Sequence, residues 1–217
     1  MKSPSLIGSR LILAVVISSA SLLAQELQPV ELARAQTEGG KPLMQALGAR
    51  HSSREFSAQK LSPQVLSNLL WAAFGVNRAE SGKRTAPSAM NWQEIEVYVA
   101  TADGLYVYAA KAHRLNPVLA EDVRAATGTQ AFVKEAPVNL VYVADLAKTG
   151  RASAEDQALF TAADAGFIAQ NVYLFCASEG LATVVRGSVD RPSLAKVLKL
   201  RTDQKIILAQ TVGYAKN

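Results

Sequence analysis

The sequence predicts an α+β fold, and three observations carry that expectation. Residues Glu94 to Ala100 alternate Ile95, Val97 and Val99 on one face, turn at Asp103-Gly104 and return over Leu105 to Ala109, the pattern of a β-hairpin. A long helical stretch runs from Ala154 to Glu179 and stops at Gly180. Strands and helices are otherwise mixed without a regular βαβ repeat, which argues against a doubly wound parallel sheet.

The elements follow in order. Lys2 and Arg10 precede an apolar run from Leu11 to Ile17 that continues through small residues to Leu23, so residues 1–24 read as an export signal with cleavage after Ala20 or Ala24. Ala20 has the small Ser18 two positions before it, whereas cleavage at Ala24 leaves the more charged mature start. An uncleaved anchor is the alternative, although the run falls short of the ~20 residues that cross a bilayer. Residues 25–40 read as a spacer or a short helix without a strong apolar period, and the folded domain is expected over 41–217. A helix from Lys41 through Gln45 to Ala49 leads into an arginine-rich segment. Ser62-Pro63 supplies an N-cap and a first-turn proline for a helix carrying Val65, Leu66, Leu69, Leu70 and Phe74, with Gly75 as its stop. Asn116-Pro117 to Ala126 reads as a helix, and Val138 to Ala144 as a buried strand. In the long helix Phe167, Leu174 and Ala177 mark the expected buried stripe, so the polar Gln170 and Asn171 need partners, most simply on a neighbouring helix. Thr183 to Arg186 and Lys205 to Gly213 read as strands. Asp190 caps a short helix with Leu194, Val197 and Leu198 between them.

Composition narrows the function. With 217 residues, 49% hydrophobic and 19% charged, the chain suits one globular domain. Its single cysteine, Cys176, cannot close an internal disulfide and reads as a small buried hydrophobe, and Cys176 with two histidines has neither the number nor the spacing of a zinc site. Loss of Lys2 and Arg10 with the leader lowers the formal charge from +5 to +3. So small an excess does not point to nucleic acid, and the cluster Arg78, Lys83, Arg84, with no aromatic residues between, reads as a solvated loop or the border of a ligand site. No GxSxG elbow and no GxxxxGK[ST] loop is present.

The most informative stretch is Arg50-His51-Ser52-Ser53-Arg54-Glu55-Phe56, which gathers two guanidinium groups, an imidazole and hydroxyls into seven residues. Arginine's planar fork matches the oxygens of a phosphate, and residues 50, 52 and 54 of an extended segment point the same way. Two further motifs follow: Pro87-Ser88-Ala89-Met90-Asn91-Trp92-Gln93, and Asp164-Ala165-Gly166-Phe167-Ile168-Ala169-Gln170-Asn171 running on to Gly180-Leu181. In composition and order the three resemble the signature segments of the FMN-dependent nitroreductase family, including its azoline-oxidising branch.

That resemblance implies a mixed, mainly antiparallel sheet flanked by helices, with the long helix at the interface of a homodimer. It implies FMN as cofactor, NADH or NADPH as electron donor and a small acceptor such as a nitroaromatic or quinone. A dehydrogenase working in the opposite sense and a non-catalytic flavin-binding module are the alternatives. No side chain is expected to act as nucleophile, since the flavin carries the chemistry. By the same resemblance Arg50 and Ser52 hold phosphate and ribityl oxygens, with His51 beside them contributing main-chain contacts. Arg54 reaches the pyrimidine edge, and Pro87 and Ser88 shape the loop that presents Asn91 and Gln93 to the ring. Arg186 and Gly187 form the turn near the flavin's N5 edge. Two departures stand out. Glu94-Ile95 replaces the family's Pro-Trp, with Trp92 either over the substrate face or in the core, and the basic carboxyl-terminal extension is missing, leaving Lys216 as its substitute. The leader implies export, to the periplasm, with no membrane span after processing.

Overall fold

The computed structural model describes residues 27–216. The expected export signal lies outside the described residues. Nine strands are present among them: β1 (Val30–Glu31), β2 (Val76–Arg78), β3 (Lys83–Arg84), β4 (Ile95–Thr101), β5 (Gly104–Ala109), β6 (Arg114–Leu119), β7 (Val138–Asp145), β8 (Leu181–Arg186) and β9 (Gln204–Tyr214). Four α-helices join them: α1 (Leu43–Ala49), α2 (Pro63–Phe74), α3 (Ala154–Glu179) and α4 (Arg191–Val197). Seven strands form one sheet in the order β1-β6-β5-β4-β7-β9-β8, every neighbouring pair antiparallel, and β2 and β3 make a separate ribbon. This is the α+β architecture the sequence predicts.

The sheet is covered on both faces. Ile95, Val97 and Val99 of β4 join Leu140 and Tyr142 of β7 in a core completed by Leu69, Leu70 and Phe74 of α2 and by Ile168 and Val172 of α3. The alternate residues Tyr98, Ala100, Val141 and Val143 face the other way, onto Leu194 and Leu198 in and after α4. The period-two side-chain alternation of a strand accounts for this division. Ser62 caps α2, its Oγ accepting from Val65 N at 3.2 Å, and Gly180 ends α3 at φ +72°, a left-handed conformation that favours glycine.

Three expectations change. Residues 116–126, read as a helix, contain the second half of β6 and a short 3-10 turn at Arg124–Thr127. Pro117 is tolerated because β1 covers only Leu115 and Arg114, so the proline sits where one edge of β6 is open. Residues 25–40, read as a spacer, include β1, and the segment is fastened further by Leu32 N to His113 O and by Gln36 N to Asn68 Oδ1. The buried stripe of α3 is also rotated: Ala165, Ile168, Ala169, Val172, Tyr173 and Cys176 are buried, whereas Phe167 is 46% exposed. A long helix packed on a sheet by one side only leaves apolar residues on the other. Asn171 finds its partner on a helix as expected, its Nδ2 donating to Ala72 O of α2 at 3.0 Å.

Candidate functional site

The arginine segment lies along the edge of the sheet. Helix α1 ends at Arg50, whose ψ of 121° starts an extended course. Ser53 N donates to Thr183 O of β8, Ser57 N donates to Tyr214 O, and Phe56 bridges to Ala215. Tyr173, on the buried side of α3, gathers the segment: its hydroxyl meets Ser52 Oγ at 2.8 Å and accepts from Val185 N at 2.9 Å, while Arg50 Cζ stands 5.3 Å from its ring centroid. Arg50, Ser52 and the strand leading into Arg186-Gly187 therefore converge on one phenol. Neither Arg50 nor Arg54 forms a salt bridge among the described residues, and Arg54 is exposed, so both guanidinium groups are available to an anion. His51 is exposed and turns its Nδ1 back to Ala49 O.

The second motif forms a tight loop over the middle of α3. Met90, Asn91 and Gln93 adopt φ of +48°, +57° and +50°. Left-handed conformations at residues other than glycine are costly and persist where neighbours over-determine them. Here the neighbours are explicit. Ala89 N donates to Asp164 Oδ2 at 2.8 Å, Gln93 N to Ser88 Oγ at 2.8 Å, and Ser88 Oγ to Glu94 Oε2 at 3.1 Å. Pro87 is exposed at the start of the loop, Ser88 is half-buried and Asn91 lies at the surface. Trp92 is half-buried, its ring edge-on to Phe160 of α3 with centroids 6.0 Å apart.

Beneath the loop lies a buried acid. Glu94 is fully buried, and its Oε1 has no hydrogen-bond partner among the described residues. Burial pushes its pKa up to about 7, and the Asp164 carboxyl adds a second negative charge beside it. A carboxyl in that position retains its proton well above the usual carboxylate range, and it supports the loop where the family pattern has Pro-Trp.

The remaining predicted residues divide. A Cβ built on Gly187 would meet nothing within 4 Å, so the space beside its Cα is open, while its carbonyl accepts from Val189 N and Arg191 Nη1. Arg186 turns inward instead. It is 5% exposed, its Nη1 donates to Thr127 O, its Nη2 to Asn139 Oδ1 and its Nε to Thr211 Oγ1, and burial lowers its pKa to about 10. Its side chain pins β8 to β9, β7 and the 124–127 turn, so only its backbone faces the Gly187 turn. Lys216 N donates to Glu55 O, next to Arg54, while its side chain borders a cavity of about 600 Å³ with Phe56, Leu61 and Pro137. Cys176 is buried, which raises its thiol pKa and makes it inert. Arg84 leaves the solvated cluster: its guanidinium stacks over Phe74, 4.6 Å from the ring centroid, and its Nε donates to Gln93 Oε1 at 2.9 Å.

Tyr173 and Asp164 carry these arrangements without having been singled out as site residues, and Arg84 was read only with its cluster, as a solvated loop or the border of a ligand site. Asp164 had a signal, an acid on the face of α3 that also presents Ala165 and Ile168 to the core and so in need of a donor. Tyr173 had none, since an aromatic residue at a helical core spacing reads as packing.

Within the chain the motifs form two groups on α3, one at Asp164 and one at Tyr173. Nine residues separate them, about 13 Å along the helix. The sequence profile of the nitroreductase family matches residues 47–214, a span that contains both groups and the Gly187 turn. The chain belongs to the nitroreductase family. A protein of Methanocaldococcus jannaschii that carries the nitroreductase name is 33% identical over 162 residues, covering 70% of this chain and 81% of its own. The crystal structure of a protein from Ralstonia eutropha JMP134, also described as a nitroreductase, has 43% identity and a TM-score of 0.85, covering 90% of this chain and 93% of that one. The same fold, at 20% identity and a TM-score of 0.62, is found in the NADPH:FMN oxidoreductase of Vibrio harveyi solved with NAD+, over 81% of this chain and 69% of that chain. Membership of the nitroreductase family makes the chain a flavin-dependent oxidoreductase in general terms.

Proposed function

We propose that this chain is an FMN-dependent oxidoreductase that works as a homodimer, with a cofactor site at each end of the subunit interface. The observation that carries the reading is the pair of residue groups on α3 together with the bare face of the same helix. Leu159, Ala162, Gly166, Phe167 and Gln170 are exposed at helical spacing, Leu159 to 61% and Phe167 to 46%. A largely apolar stripe of this kind on the open side of a helix packed against the sheet by its other side suits a partner surface. A two-fold axis crossing α3 near residue 168, midway between Asp164 and Tyr173, would bring the Pro87–Gln93 loop of one protomer against the Arg50–Arg54 segment of the other.

The residues fit the cofactor. Arg50 and Ser52 suit phosphate and ribityl oxygens, Arg54 suits the edge where negative charge accumulates, and Asn91 offers an amide to the ring. Gly187 leaves open space where a side chain would stand, and Gln93, Ser88 and Pro87 hold the shape of the loop. His51 contributes backbone, and Lys216, whose N–H meets Glu55 O, brings a further cation near Arg54. FMN, when bound, supplies hydride acceptance from a reduced nicotinamide and electron delivery to a nitroaromatic, quinone or similar small acceptor. The protein's part is to bind, orient and exclude water. The leader carries the further proposal of export to the periplasm. Free nicotinamide is scarce there, and a partner protein or a reduced quinone could serve as donor.

The absorption spectrum of purified protein reconstituted with FMN tests the reading. A yellow protein, bleached anaerobically by NADH or NADPH and recoloured by a nitroarene or quinone, is expected. Protein that takes up no FMN overturns it, and yellow protein that no donor bleaches leaves a flavin-binding module in its place. The mass of the mature chain recovered from a periplasmic fraction tests export.

A further inference from the structure

We propose that Arg84, outside all three motifs, is a positioning residue that fixes the side-chain amide of Asn91 with its Nδ2 facing outward. The bound cofactor then meets a hydrogen-bond donor at that point and must offer an acceptor, a ring carbonyl or a ribityl or phosphate oxygen. The inference rests on the reading of the Pro87–Gln93 loop as half of the flavin site.

A carboxamide is nearly symmetrical in shape, so its direction is set by the groups around it. Here the direction follows from chemistry. A guanidinium has donors and no acceptor, and Arg84 Nε donates to Gln93 Oε1 at 2.9 Å. Arg84 cannot swing away easily, because its Nη1 donates to Phe74 O at 3.1 Å and its Cζ lies 4.6 Å from the centre of the Phe74 ring. With Oε1 engaged, the other end of Gln93 is its Nε2, which donates to Gly82 O at 3.1 Å. A backbone carbonyl only accepts, so both ends of Gln93 demand the same orientation independently. The second proton of Gln93 Nε2 goes to Asn91 Oδ1 at 3.1 Å. The row Arg84 to Gln93 to Asn91 is thus polarised in one direction, and it leaves Asn91 Nδ2, with no hydrogen-bond partner among the described residues, at the exposed surface.

The backbone beneath is already fixed. Asn91 N donates to Ser88 O and Gln93 N to Ser88 Oγ, with both residues held at positive φ. What the loop's own geometry does not determine is which end of the amide faces out, and Arg84, together with Gly82 O between β2 and β3, determines it from the neighbouring ribbon. Binding benefits because the amide need not be reoriented when ligand arrives.

The test is a double-mutant cycle on FMN affinity, read by quenching of flavin fluorescence, with side-chain amide NMR on the flavin-free protein. Arg84→Ala and Asn91→Ala are each expected to weaken FMN about three- to tenfold, as for one neutral hydrogen bond. In the Asn91→Ala background the Arg84 substitution should cost nothing further. Gln93→Glu keeps a partner for Arg84 but has no N–H for Asn91, and should repeat the Arg84→Ala loss in a protein whose packing is unchanged. In the flavin-free protein the Gln93 amide protons should exchange slowly, and that protection should fall in Arg84→Ala, where Gly82 O alone still orients the amide. Equal losses from Arg84→Ala with and without Asn91 overturn the proposal, as do Gln93 protons indifferent to Arg84. Wild-type protein that binds no FMN defeats the cofactor reading instead, and the NMR arm still decides whether Arg84 orients the row.

Discussion

The two halves of the proposed site are held by opposite means. The Arg50–Arg54 segment is extended and largely exposed, tied down by a few backbone bonds and one phenol, and its guanidinium groups are left without carboxylate partners among the described residues. The Pro87–Gln93 loop is compact, with three left-handed residues and side chains that mostly bond one another. The first is an electrostatic receptor, adaptable in geometry because charge acts over several ångströms. The second is a shaped surface whose few outward donors are set in advance. A ligand with a charged tail and a flat, hydrogen-bonding ring needs one of each, and no single segment supplies both.

The most severe way to break the pairing is to part the halves. Phe167→Asp puts a charge on the exposed face of α3, and in a homodimer it would be duplicated about the two-fold. The expected result is a folded monomer by analytical ultracentrifugation that retains FMN more than a hundredfold less well, since each protomer keeps only half a site. A monomer that binds FMN normally would show that one protomer suffices and that the comparison above is misdrawn. Next in size is Arg50→Ala. Losing a charge-assisted contact of roughly 1.5 to 3 kcal/mol should weaken FMN about ten- to a hundredfold. Riboflavin, which lacks the phosphate, should bind wild type and variant alike. If riboflavin suffers equally, Arg50 serves the fold or the ring rather than the charged tail.

Tyr173→Phe sharpens the comparison on the electrostatic side. The variant keeps the ring under Arg50 but removes the hydroxyl that Ser52 and Val185 N share. Leaving the half-buried Val185 N–H without its acceptor should cost about 1 kcal/mol, read as a melting temperature lower by about 2–4 °C. FMN affinity should fall less than in Arg50→Ala, because the guanidinium remains. A loss as large as that of Arg50→Ala would mean that the phenol, and not the arginine, organises the segment.

How much of this was legible in the sequence follows the same division. The arginine segment was readable because its chemistry is carried by residue types that seldom cluster without reason, α2 and the β4–β5 hairpin because their periodicities are strong, and α3 by its length and its glycine stop although its buried face was not. The loop was located by its motif, but its working parts were not visible: the bracing of Ala89 by Asp164 spans 75 residues, and that of Gln93 by Arg84 depends on a ribbon with no apolar period. Arg186 misled for a related reason. Next to an open glycine it resembles a ligand contact, yet the alternation of β8 turns its side chain inward, onto Asn139 and Thr211. Residues 116–126 failed as a helix because Pro117 looks like a first-turn proline, and only the pairing of Tyr106 with Pro117 reveals a strand.

The smallest expected effect on cofactor retention, and the one most particular to this chain, concerns the acid under the loop. Glu94 is buried with one oxygen unpartnered, and its pKa stands at about 7 against an ordinary 4.5. The folded state therefore holds a proton that the unfolded chain releases, so stability is full below about pH 4.5 and declines as pH rises through 7. Glu94→Gln mimics the protonated form: its amide carbonyl can still accept from Ser88, and its NH2 can face Asp164. Thermal melts from pH 4 to 9 should show the two proteins alike at the acid end, with the glutamine variant increasingly the more stable across the window. The loop should also hold its shape at high pH in the variant, so any alkaline loss of FMN affinity in the wild type should disappear with the charge. Melting curves that run parallel across the whole range would mean that Glu94 is ionised in the folded protein, with a counter-charge supplied from elsewhere. The loop would then rest on an ion rather than on a neutral acid.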